Sequence, residues 1–192
     1  AREWKVNSNR DVVQIVGQGH TLHLDAETAG IYIGNEEKDT SKRTQLRFTE
    51  MPDLNITAGA NGSGILVKNS SASIGLAEDG RMHVASKDGA KGFVGIKVVE
   101  DRDVGDTKAG DTSLSVDGTL DIETPEEIAL WLDGGERLSL LSSDNVIHAD
   151  GGTLLKVTKS QNNSAVSISG KELVGDLDLS GATGGTYQMT LN

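Results

Sequence analysis

A chain of 192 residues is long enough for one large domain or two small β domains, and its lack of cysteine excludes disulfides and thiolate metal sites. A formal charge of −11, with Lys and Arg scattered along the sequence, disfavours phosphate backbones and anionic lipid surfaces, so neither nucleic acid nor a membrane is an expected partner. Two Trp, two Tyr and two Phe leave Val, Ile, Leu and Ala to build the core, while 24 Gly against two Pro indicate many tight turns.

The amino terminus, Ala1-Arg2-Glu3-Trp4, lacks the apolar segment of a signal peptide and reads as a mature start, made in a cytoplasm. No apolar run approaches the ~20 residues needed to span a bilayer. His20-Thr21-Leu22-His23-Leu24 and Ile31-Tyr32-Ile33 alternate as half-buried strands do. Lys38, Lys42, Arg43 and Arg47 stand beside Glu36, Glu37 and Asp39, which is the pattern of a solvated face. Ala58 to Gly64 is a flexible joint between two strands. The acidic stretch Glu100 to Asp111 is the longest polar segment and divides the chain into an N-terminal β unit (1–99), a loop or linker (100–111) and a C-terminal β unit (112–192).

Asp-Gly occurs at Asp79-Gly80, Asp88-Gly89, Asp117-Gly118, Asp133-Gly134 and Asp150-Gly151, and Asn61-Gly62 adds an Asn-Gly. Such pairs accept positive φ and predict the primed turns of hairpins. Thr124-Pro125-Glu126-Glu127 supplies an N-cap, a proline at the first helical position and a closing Glu, which predicts a short helix at about 125–133 packed through Ile128 and Trp131 or Leu132. Beyond it, Val166-Ser167-Ile168-Ser169 and the Gly-interrupted Leu173 to Leu179 read as strands. Ala77 to Val84 is echoed by Ser115 to Ile122 and more loosely by Ala149 to Val157. The irregular spacing of the copies argues for recurring hairpins instead of a solenoid repeat. The expected fold class is therefore mostly β, with antiparallel, hairpin-rich sandwich or barrel-like units and one short helix.

Candidate sites are few. His20 and His23, three apart in a strand, face opposite ways and cannot share a metal, and His83 and His148 lack a second ligand at a useful spacing. In the acidic loop, Asp101, Asp103 and Asp106 offer hard oxygen ligands for Ca²⁺, although no bidentate Glu closes an EF-hand pattern; no other cofactor is expected. Nucleophilic catalysis finds no Cys and no Gly-x-Ser-x-Gly elbow. Asp176 and Asp178 share a strand face, but a glycosidase would need such a pair in an aromatic-lined cleft. No catalytic residue is assigned, and an enzyme is not expected.

Gly30-Ile31-Tyr32-Ile33-Gly34-Asn35, Ile74 to Val84 and Val116-Asp117-Gly118-Thr119-Leu120-Asp121-Ile122 resemble segments of tailed-bacteriophage virion surface proteins, namely decoration proteins, head fibres and fibre-attachment domains. The resemblance implies a non-enzymatic structural protein displayed on a virus particle, a homotrimer docked on the major capsid protein or a tail component. The rival reading is a bacterial surface or secreted β-sandwich adhesion module with Ca²⁺ in the 100–111 loop. A third, a polysaccharide-acting enzyme with a shallow carboxylate site, is disfavoured by the scarcity of aromatics.

Overall fold

The computed structural model describes residues 4–6, 10–34, 42–102 and 112–192. Eighteen strands follow one another there. Strand β1 (Trp4–Val6) precedes a first coil of β2 (Arg10–Val16), β3 (Leu22–Asp25) and β4 (Ala29–Gly34). The second coil holds β5 (Arg43–Thr49), β6 (Asp53–Ala58) and β7 (Ser63–Lys68), and the third holds β8 (Ser71–Gly75), β9 (Arg81–Ser86) and β10 (Val94–Val99). The fourth is built from β11 (Ser113–Asp117), β12 (Thr119–Glu123) and β13 (Ile128–Asp133). In the fifth, β14 (Arg137–Leu140) is followed by one long bent strand, β15 (Val146–Lys159), and in the sixth β16 (Ala165–Gly170) is followed by the bent β17 (Glu172–Asp178). Strand β18 (Thr186–Leu191) opens a seventh.

Each strand pairs with its counterpart one coil away, and every ladder is parallel. One sheet of seven strands runs β18-β16-β14-β11-β8-β5-β2; this is face I. The other has eleven strands, with β3, β6, β9 and β12 on face II and β1, β4, β7, β10 and β13 on face III. The bent β15 joins the two, because Val146–His148 pairs with β12 and Thr153–Lys159 with β13. The chain is thus a three-sided parallel β-solenoid. With a strand spacing of about 4.8 Å, the six steps from β2 to β18 span about 29 Å. Both sheets cross the 100–111 stretch without a break, through β8–β11, β9–β12 and β10–β13.

This corrects the antiparallel expectation. The Asp-Gly and Asn-Gly pairs do form turns, each with one left-handed residue: Asn61 (φ 58), Asp79 (φ 60), Gly89 (φ 72), Gly118 (φ 138), Gly134 (φ 92) and Gly151 (φ 71). A type I′ hairpin turn needs two such residues in a row. Here each pair turns a corner from one face to the next, and the following two faces carry the chain back to pair in parallel, as any parallel pair requires a crossover. Among the described residues the one antiparallel contact outside the ladders is a single bridge between Val99 and Gly134. The echo has the same origin. Arg81 to Val84 and Thr119 to Ile122 stack in register, with Met82 beside Leu120 and Val84 beside Ile122, so these halves of the copies are successive rungs of a solenoid, whereas Ser115 to Asp117 pair with Ser73 to Gly75. The looser third copy turns a different corner, between faces II and III.

The expected helix at 125–133 is a turn followed by strand β13, and no helix occurs among the described residues. Glu127 N–H donates to Thr124 C=O at 3.1 Å, and Glu126 has φ 62, which no right-handed helix admits. Isolated, two helical turns are marginal in water. As a strand, Ile128 to Asp133 satisfies its backbone against β10 and β15 and buries Leu130 and Leu132 while leaving Trp131 outward. Tertiary pairing overrides the capping signal.

The interior consists of stacked aliphatic columns. Face I contributes Leu46, Ile74, Val116, Leu140 and Ile168, which stack in register. Face II adds Ile56, Val84, Ile122 and Ile147, and face III adds Ile31, Ile65, Ile96, Leu130 and Leu155. All are at most 5% exposed. Like stacked on like at strand spacing fills a narrow prism without bulky rings, which is why few aromatics suffice; each such side chain contributes about 1.5–3 kcal/mol by burial. At the corner between faces II and III the inner position is held by Gly30, Gly64, Gly95, Ala129 and Leu154 in successive coils. A Cβ on Gly95 would lie 2.6 Å from Ala129 O and 2.9 Å from Ile122 Cγ2, so the first coils close tightly around bare backbone. Corners between faces III and I include Asn69-Ser70 and Gly134 to Glu136.

Candidate interaction surface

Because side chains alternate along a strand, each face presents outward columns that repeat at strand spacing, and the three faces differ in chemistry. Face I is lined by small hydroxyls. Gln45, Ser73, Ser115, Ser139, Ser167 and Gln188 form one outward column, and Ser71 and Ser113 hydrogen-bond beside it at 3.0 Å. Small side chains leave a shallow groove of about 590 Å³ over Gln45, Ser73 and Ser115, bordered by Arg43.

Face II is acidic and holds three of the four histidines. His83 Nε2 lies 3.1 Å from Asp53 Oδ1 in the coil before, and Nδ1 lies 3.1 Å from Asp121 Oδ2 in the coil after. Arg81 donates to Asp121 twice, from Nε at 2.8 Å and Nη2 at 2.7 Å, a bidentate pair. That pair holds the Asp121 carboxyl below its ordinary pKa and raises the Arg81 guanidinium. His148 repeats the arrangement one step along, 3.4 Å from Glu123 Oε2 and 3.1 Å from Glu172 Oε1. At the first coil, His23 stands 3.4 Å from Asn55. The Thr57 hydroxyl and then Lys87 lower the Asp25 carboxyl, while Glu27 and then Asp25 raise the Lys87 ammonium.

Face III carries apolar and basic groups. Tyr32, Leu66, Lys97, Trp131 and Lys156 are consecutive in one outward column. The Trp131 ring sits between two ammoniums, with Lys97 Nζ 4.0 Å and Lys156 Nζ 4.6 Å from its centroid. Its Nε1–H donates to Thr158 Oγ1 at 2.8 Å, and that hydroxyl donates to Asp133 at 2.8 Å, which fixes the plane of the indole. Cation–π contacts of this kind contribute about 0.5–2 kcal/mol.

The calcium ligands considered from sequence are placed only in part. Asp101 accepts from Asn69 Nδ2 at 2.6 Å and lies 3.5 Å from Lys68 Nζ, so its carboxylate is engaged by the protein. Asp103 and Asp106 lie outside the described residues. Glu100, next to them, is buried with Arg102, whose Nε and Nη2 donate to it at 2.6 and 2.7 Å, and the Thr112 hydroxyl completes the cluster. Among the described residues no group of three or more His, Asp or Glu is arranged to hold a metal. His20 lies in the corner before β3, so it and His23 do not share a strand. Asp176 and Asp178 follow the kink at Gly175, and Asp178 accepts from both the hydroxyl and the N–H of Ser180, which lowers its pKa.

Sequence reasoning missed both the imidazole–carboxylate ladder and the Lys–Trp–Lys ladder, because their members lie a whole coil apart in the chain. One signal was present. Gly30-Ile31-Tyr32-Ile33, Gly64-Ile65-Leu66-Val67, Gly95-Ile96-Lys97-Val98 and Ala129-Leu130-Trp131-Leu132 share a phrase whose third residue is the face III column. Comparison with known proteins finds no matching family model, no matching curated protein and no matching solved structure.

Proposed function

We propose that the chain is a non-enzymatic structural protein of a virus particle, a capsid decoration or short-fibre component that assembles as a homotrimer and docks on the major capsid protein or a tail component. The observation that carries this reading is the regular prism itself: three faces of chemically distinct, evenly spaced side chains on a stacked, in-register core. Such a body presents surfaces for docking along its length, and extended binding surfaces are the usual use of solenoids. The likeness of Gly30 to Asn35, Ile74 to Val84 and Val116 to Ile122 to virion-protein segments points the same way. The −11 charge would keep many displayed copies soluble and mutually repelling.

The test is a mass-spectrometric inventory of purified particles from a producing host, paired with antibody labelling in the electron microscope. The chain is expected at a fixed, multiple copy number per particle and on the outer surface. Its absence from washed particles, or presence only as a soluble protein, overturns the reading.

A further inference from the structure

We infer that copies of this chain stack end to end along the solenoid axis, the β18 edge of one docking on the β2 edge of the next. The inference stands on the fold and not on the particle reading above, and it leaves the sides of the prism free for lateral contacts. Among the described residues each sheet ends in strands with an unused edge, β1, β2 and β3 at the first end and β17 and β18 at the last. Six large hydrophobics stand exposed there or elsewhere on the described surface, and five of the six are at these two ends. Val12 (69%) and Val16 (48%) lie on β2, Leu177 (55%) on β17, Leu179 (39%) just after it and Leu191 (67%) on β18. Proteins commonly blunt an open edge with charge, proline or a bulge. Strand β18, Thr-Tyr-Gln-Met-Thr-Leu, carries no charge, proline or glycine on a chain whose total is −11. Such an edge is suited to accept another strand.

The occupant that fits is the other end of the same chain, because the two ends continue each other's register. Face I has seven strands, and face III has seven as well once the second halves of β15 and β17 are included. A copy displaced by seven rungs therefore extends both ladders without interruption, every strand still parallel. Across the junction the face I columns set Met189 opposite Val13 and Leu191 opposite Ile15, aliphatic on aliphatic as in the interior. The face III columns set Trp4 opposite Leu177 and Lys5 opposite Asp178. Face II has six described strands, so a slot one strand wide remains there between β17 and β3. The end of the prism is small against the roughly 800 Å² per partner of a standard interface, so the contact relies on ladder hydrogen bonds and is lost on dilution. Its two halves differ and its axis is that of the solenoid, so it does not close on itself and gives open filaments.

Electron microscopy and sedimentation of the full chain test this. Filaments are expected above a threshold concentration, with an axial rise of about 34 Å per subunit, seven strands at about 4.8 Å. Copies at −11 repel one another, so shortening the Debye length from about 10 Å at 0.1 M NaCl to about 3 Å at 1 M should lower the threshold. Leu191→Lys puts a charge where the lone chain is open to water, and it should raise the threshold at least tenfold. Mixed with unmodified chain, the variant should shorten the filaments, because its β2 end still docks while its β18 end does not. Circular dichroism reports whether the variant folds; if it does not, the rise of the unmodified filament decides. A chain monomeric at every attainable concentration, an oligomer of fixed size, a rise other than about 34 Å, or a threshold that climbs with salt each overturns the inference. A folded Leu191→Lys chain that polymerises at the unmodified threshold, or fails to shorten the mixture, overturns it too.

Discussion

Asn145 is fully buried at the corner between faces I and II, and one side chain there ties three coils. Its Oδ1 accepts from Leu120 N–H at 2.8 Å, and Nδ2 donates to Leu140 C=O at 3.5 Å and Ser169 C=O at 3.0 Å. Asn145→Ala orphans a buried amide and should lower stability by about 2–3 kcal/mol, read from the urea midpoint at unchanged m-value. Gly118 is a one-residue corner between β11 and β12. Its φ of 138 and the approach of Leu76 Cβ to within 2.6 Å of any added Cβ make Gly118→Ala costly, about 1–3 kcal/mol for the backbone plus the displacement of Leu76. At Asp121 the sign of the pH effect follows from its depressed pKa. The Arg81 pair contributes stability above the unfolded carboxylate value of about 4 and loses it as pH falls through the lower folded value. Asp121→Asn should flatten the acid side of the stability profile by about 1 kcal/mol, because the pair, with side chains 31% and 29% exposed, is partly screened by solvent; an unchanged acid slope would contradict this. Nothing local in the sequence marks Asn145 or His83, since Leu120 and Ser169, and Asp53 and Asp121, come from neighbouring coils.

At the scale of the element, strands were legible and their partners were not. Alternation in Val166 to Ser169 or Ser113 to Val116 depends only on which side chains face inward, a local property; whether the neighbour runs parallel or antiparallel depends on where the chain returns. The turn at Thr124 to Glu127 shows the limit most clearly. Capping residues there satisfy the corner, with Thr124 N–H on His148 C=O and Glu126 N–H on Asp150 C=O, both at 2.8 Å, and not a helix terminus. Glu126→Gly separates the two accounts. In a helix the change costs about 1 kcal/mol, whereas at φ 62 it should be neutral or stabilising by a similar amount, measured by thermal and urea unfolding.

For the whole molecule, stability is shared between neighbouring coils, so the ends are weakest. Leu177 and Leu191, inward positions of the last strands, are 55% and 67% exposed, while their counterparts in the middle coils are closed over. Amide exchange should therefore be slowest in β10 and β13 and fastest in β2, β3, β17 and β18. Uniform protection along the axis would argue against nearest-neighbour stacking. The solenoid was hidden from the sequence by its corners. Successive strands of faces III and I are two residues apart in the chain after β7, three after β13 and five after β15, and this scatter masks the fixed width of the rungs.

The column Gly30, Gly64, Gly95, Ala129, Leu154 gives the molecule a grain. Its occupant grows from a hydrogen to a methyl to an isobutyl group from one end to the other, so the rungs are graded like the steps of a tapered stair. A rung cannot be duplicated or exchanged at will: grafting Leu at position 64 would drive it into Val84, and a glycine at 154 would leave a hole. Lengthening this protein by copying a coil would thus succeed only between rungs of equal bore, which confines viable insertions to the first three.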